Sequence, residues 1–201
     1  MQIASLVIST LALAFTVGSF WWMWARRTPI VSFPVTAYAA AYANDTFRVR
    51  LPIVLANPGA AMRVVVDARL RLEGSYGTST LKWGLTRRTL QPASDDVEDF
   101  PTPQTISGRS ASRIHMEFRG DLGERLPEPT DYKFTLELLV DQSETWRHAG
   151  TGVLRFGHMR YPDRYITYDN SAEPCSATEL GEAREAMVAL ARRQNLSVPW
   201  D

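Results

Sequence analysis

The chain has 201 residues, 22 basic and 22 acidic side chains, and one cysteine, Cys175. One cysteine excludes an internal disulfide, and no face of the chain carries the basic strip interleaved with aromatics that nucleic-acid binding needs. The balanced charge is uneven along the chain: residues 26–91 hold ten basic and three acidic side chains, residues 92–201 twelve and nineteen. That asymmetry suits either an anionic lipid surface near the first half or two halves whose charges meet across one folded domain.

From Ile3 to Trp24 there is no charged side chain. About 22 residues at about 1.5 Å each give a helix of about 30 Å, the thickness of a bilayer's hydrocarbon core. The hydroxyls of Ser9, Thr10 and Thr16 can bond to carbonyls of the preceding turn, which makes them cheap in lipid. Trp21, Trp22 and Trp24, followed by Arg26 and Arg27, read as the interfacial belt. No Lys or Arg precedes the apolar core, so residues 1–27 are predicted to be a retained anchor touching the bilayer through residues 3–24, not a cleaved signal peptide. Arg26 and Arg27 on its C-terminal side point to a single-pass membrane protein with its domain in the cytoplasm.

Residues 28–157 are predicted to form the domain. Pro29 and Pro34 keep its start extended. The run Ala37 to Ala43 is compatible with an edge strand or a short helix. Strict alternation follows: Phe47, Val49, Leu51, Ile53 and Leu55 share one face, with Arg48 and Arg50 opposite. Asn57-Pro58-Gly59 is a turn. Val64, Val66, Ala68, Leu70 and Leu72 form a second inward set, with Arg69 and Arg71 outward. Leu81, Trp83 and Leu85 form a third. Residues 89–112 read as a loop with an acidic run at Asp95, Asp96, Glu98 and Asp99. Further inward sets are Ile114, Met116 and Phe118, then Tyr132, Phe134, Leu136, Leu138 and Val140, and a last strand covers about 146–156. Seven or so short strands without intervening helices predict a mainly β fold, an immunoglobulin-like antiparallel β-sandwich.

The tail, 158–201, opens with an extended segment around Tyr161, Tyr165 and Tyr168. Ser176 and Glu179 make a capping box. Leu180, Ala183, Met187, Leu190 and Ala191 form one stripe of a C-terminal α-helix over about 177–194. The stripe suits packing on the chain's own domain, and a protein partner or the membrane surface is the other use.

If the 47–55 and 64–72 strands paired as a hairpin, Arg50 would oppose Arg69 and Arg48 would oppose Arg71, which is unfavourable. The two strands are therefore predicted to lie in different sheets, with the arginines spread out and paired to carboxylates such as Asp67 or Glu137. The alternative is that Arg48, Arg50, Arg69 and Arg71 hold an anion or a lipid headgroup.

Catalytic and metal signatures are absent from the sequence. His115, His148 and His158 have no ligand spacing for zinc, and Cys175 lies in a proline-flanked loop without oxyanion-hole context. No cofactor motif is present. Phe47 to Gly74, an alternating strand, Asn-Pro, then a second alternating strand, resembles the late embryogenesis abundant type 2 or water-stress (WHy) domain. That resemblance implies a small immunoglobulin-like sandwich, tethered by one N-terminal span, acting as a non-enzymatic binding module. Gly59 stands where that family usually has Asn, and the basic segment usual before the span is missing. The rival expectation is a membrane-tethered hydrolase or metal-dependent enzyme.

Overall fold

The protein is described from a computed structural model, over residues 2–25, 28–43, 46–74, 77–90, 99–120, 130–157, 159–162, 166–170, 173 and 175–194. Arg26, Arg27, Asp95, Asp96, Glu98, His158 and Tyr165 lie outside the described residues, as do the side chains of Trp24, Tyr161, Leu190 and Ala191.

Helix α1 (Gln2–Phe20) runs into a π-helical turn at Trp21–Ala25. The stretch Ile3–Met23 is long and apolar enough to cross a membrane, and it is not buried against the rest of the chain. Its hydroxyls bond back along the helix as expected: Ser9 Oγ donates to the Ser5 carbonyl at 2.9 Å, Thr10 Oγ1 to Leu6 at 2.9 Å and Thr16 Oγ1 to Ala12 at 2.8 Å. The hydroxyl donors are thereby satisfied within the segment. Trp21 and Trp22 are exposed at its end.

The rest is mainly β, with a second helix at the C-terminus. Among the described residues the strands are β1 (Val31–Ser32), β2 (Ala37–Ala43), β3 (Thr46–Asn57), β4 (Arg63–Gly74), β5 (Gly77–Arg87), β6 (Gln104–Ile106), β7 (Ser110–Gly120), β8 (Asp131–Val140), β9 (Arg147–Arg155), β10 (Met159–Pro162) and β11 (Ile166–Asp169). They make one antiparallel hydrogen-bonded sheet, in the order β10-β11-β2-β3-β7-β5-β4-β8-β9, with β1 on β3 and β6 on β4. The short β1, β6, β10 and β11 supplement the strands read from the sequence. The Ala-rich run is a strand because β3 and β11 flank it on both sides.

β3 and β4 do not pair with each other, which agrees with the charge argument. They are not in separate sheets, however. β7 and β5 lie between them, and the β5–β7 ladder joins the two halves into one path. The sheet curls so that Val49, Leu51, Leu70, Phe118, Leu136 and Leu138 belong to one apolar core.

Two register irregularities alter the expected inward faces. Between Val65 and Asp67 the β4–β8 ladder shifts, so Val65 is fully buried while Val66 is exposed. Between Trp83 and Leu85 the β5–β7 ladder shifts, so Leu85 stands opposite Glu117 instead of joining the main core. A bulge adds one residue and turns the strand's face over from that point.

The described residues after Gly157 pack with the same core. α2 (Ala177–Gln194) starts at the capping box: Glu179 N donates to Ser176 Oγ at 3.2 Å and Ser176 N to Glu179 Oε2 at 2.7 Å. It buries Ala183 and Met187, and Tyr168 OH donates to Met187 Sδ at 3.5 Å. The helix therefore packs on its own domain. Asn170 fastens the end strand β9 across the core opening. Its Nδ2 donates to the carbonyls of Val35, at 2.7 Å, and Val153, while its Oδ1 accepts from Arg155 N at 3.0 Å.

Candidate functional site

The alternation of β3 puts Arg48 and Arg50 on the outer face, and the unbroken β3–β7 register sets Arg119 opposite Arg48 and Glu117 opposite Arg50. Glu117 is fully buried, although its strand position reads as solvent-facing. Its Oε2 accepts from Arg50 Nη2 at 3.1 Å and from Arg87 Nε at 3.2 Å. Its Oε1 accepts from Arg119 at 2.9 and 2.7 Å. Arg50 Nη1 also donates to the Thr89 carbonyl at 2.8 Å, and Leu90 packs on Ala39 and Ala41, so the segment after β5 covers this face. The absent side chain of Gly84 lets the Arg119 methylenes cross β5, since a Cβ there would meet Arg119 Cδ at 2.8 Å.

Burial alone would push the Glu117 carboxyl up. The hydrogen bond from Arg119 and the charges of Arg87, Arg119 and Arg50 outweigh it, and the net shift is below the ordinary glutamate value. Glu117 is thus an anionic hub for arginines from three strands. The sequence pattern missed it because alternation assigns a face and not what covers that face.

The four arginines singled out from the sequence are not one cluster. Arg50 serves Glu117. Arg69 pairs with Glu137 and lies over the Trp146 ring at 4.4 Å from its centroid. Arg71 reaches Glu137 only at 3.9 Å. Asp67 Oδ1 accepts from Ala68 N instead. Arg48 has no ion pair among the described residues, and its Nε is buried without a hydrogen bond. Arg48 and Arg69 are nonetheless linked through the register: Arg48, Arg119, Lys82 and Arg69 occupy successive opposed positions across β3, β7, β5 and β4. At about 4.8 Å per strand the row is about 14 Å long. Glu117 and Glu137 moderate the repulsion that such opposition creates.

A second constellation lies at the other end of β3. Asn57 closes the turn: its Nδ2 donates to Ala61, Ile106 and Ser107 carbonyls at 2.8, 3.2 and 3.2 Å, and its Oδ1 accepts from Gly59 N at 3.1 Å. Gly108 sits so close to this turn that a Cβ would lie 1.8 Å from the Ala60 carbonyl oxygen. Next to it, Arg109 Nη2 donates to the Met23 carbonyl at 2.9 Å, at the end of the apolar helix. Arg63 Nη1 donates to the Thr28 carbonyl at 3.2 Å and Arg63 Nε to Asp141 Oδ2 at 2.7 Å. Asp141 Oδ1 accepts from Val64 N at 2.9 Å. A cleft of about 690 Å³ opens here, with Met62, Arg63, Asp141, Ser143 and Arg147 among its walls.

Among the described residues no group of three or more His, Cys, Asp or Glu side chains is arranged to hold a metal ion. His115 stands opposite Arg87 on the outer face, and His148 is exposed. Burial, with Glu179 and Asp131 nearby, pushes the Cys175 thiol up, opposite to the shift an activated nucleophile needs.

No protein-family model matches the chain, and no curated protein does. Among solved structures the chain is similar to a protein from Archaeoglobus fulgidus, at 9% identity and a TM-score of 0.31, over 74% of this chain and 100% of that one.

Proposed function

We propose that the protein is a single-pass membrane protein whose β domain, on the cytoplasmic side, acts by contact and not by catalysis. The observation that carries this reading is the division of apolar surface. The Ile3–Met23 helix is exposed along its length, while the buried core starts at Ile30 and draws on no residue of that helix. An apolar helix of that length, left out of the core, needs lipid around it. The resemblance of Phe47–Gly74 to the WHy domain supports a tethered binding module. The strand–Asn-Pro–strand unit has a structural use in the bonds that Asn57 makes, so it needs no catalytic explanation.

The test compares full chain with residues 28–201. The full chain is expected to stay in the membrane pellet after carbonate extraction, and the truncated chain to be soluble with a near-UV circular dichroism spectrum of fixed aromatics. A truncated chain that is insoluble or molten would show that the helix belongs to the core.

A further inference from the structure

We propose that the cleft lined by Met62, Arg63, Asp141 and Arg147 seats the phosphate of an anionic membrane lipid, an inference that rests on the tethered reading above. Position is the first argument. Thr28 is three residues past Ala25, so at most about 11 Å of chain separates them. The Arg63 guanidinium touches the Thr28 carbonyl, and Arg109, on the turn that donates its N–H to Gly59 at 2.8 Å, touches the Met23 carbonyl. With the helix in a bilayer, this end of the sheet lies against the headgroup layer, which is about 5–8 Å deep on each side. Arg48 is nine residues before Asn57 on the same strand, about 30 Å away along it. On β3, Arg48 and Arg50 lie toward the end away from the helix junction.

Chemistry is the second argument. Of the named wall residues, two arginines and one aspartate leave a net charge of +1, which matches a phosphodiester's single negative charge. Asp141 fixes the Arg63 guanidinium, with Oδ1 bonded to Val64 N and Oδ2 to Arg63 Nε, and partly neutralises that cation, so Arg147 carries the larger share of the attraction. Arg147 is exposed and has no ion pair among the described residues. Forked arginine donors suit phosphate oxygens. Met62, exposed on the wall, offers an unbranched apolar side chain to the acyl boundary. The volume lies in the range of small-molecule clefts.

The test is native mass spectrometry of the full chain in neutral maltoside micelles, titrated with phosphatidylglycerol, phosphatidylcholine or inorganic phosphate. Phosphatidylglycerol is expected to bind more tightly than phosphatidylcholine. Arg147→Ala is expected to weaken it about fivefold, the loss of one surface cation, and Arg48→Ala to leave it unchanged. Equal binding of both lipids, or equal weakening by both substitutions, overturns the proposal. Inorganic phosphate binding as tightly as phosphatidylglycerol also overturns it, in favour of a free-phosphate site. Carbonate extraction of the same variants separates the two readings: chains that stay integrated but show no lipid preference refute the cleft alone, and chains that are released refute the tether.

Discussion

Replacing Glu117 by Gln tests the buried hub, because the shape is kept and the charge is removed. One acceptor oxygen is lost, and the new amide N–H atoms face guanidinium donors that were its partners. Four hydrogen bonds converge on this carboxylate, and both it and Arg50 are fully buried. Breaking a buried ion pair by removing one partner costs about 3–5 kcal/mol. In a domain of this size that corresponds to a fall in Tm of about 6–20 °C. Arg119→Ala is expected to cost less, since its side chain is 31% exposed and water replaces part of what it gives. The pH dependence has a definite sign. The folded carboxyl titrates below its unfolded value, so its stabilisation is complete above about 4.3 and is lost as pH falls through the lower folded value. Thermal melts of the full chain in detergent, followed by far-UV circular dichroism between neutral pH and the acid limb, measure both. A Gln variant melting within about 2 °C of wild type at neutral pH, with an unchanged acid limb, would refute the hub.

Asn170→Ala removes three side-chain hydrogen bonds and strands the Val153 and Val35 carbonyls. It is expected to cost about 3 kcal/mol and to raise hydrogen exchange first in β9, as read by mass spectrometry. Sidedness is open to a labelling test: in a Cys175→Ser background, Asp99→Cys is expected to react with an impermeant thiol reagent only after cells are permeabilised. Labelling of intact cells would place the domain outside.

The apolar faces of β3, β7 and β8 were legible from alternation, because no bulge interrupts the pattern within the stretches that line the core. Val65 and Leu85 were not, because a bulge depends on the partner strand, and one inserted residue inverts every face after it. The Ala-rich β2 gave no propensity signal either way, and its neighbours decided it. The tail beyond Gly157 reads as laid on the domain, and Tyr168 and Met187 go further and join its core. The Arg50 and Arg87 bonds to Glu117 and the Arg63–Asp141 pair were invisible for a shared reason: they join residues 30 to 78 positions apart, and no local period encodes such a contact; only Arg119, two residues from Glu117, was within reach of the alternation.

Arg109 bonds the Met23 carbonyl and Arg63 the Thr28 carbonyl, one contact on each side of the joint between helix and domain. One exposed hydrogen bond contributes about 1 kcal/mol net, so the Arg109 contact biases the tilt of the domain on its helix without locking it.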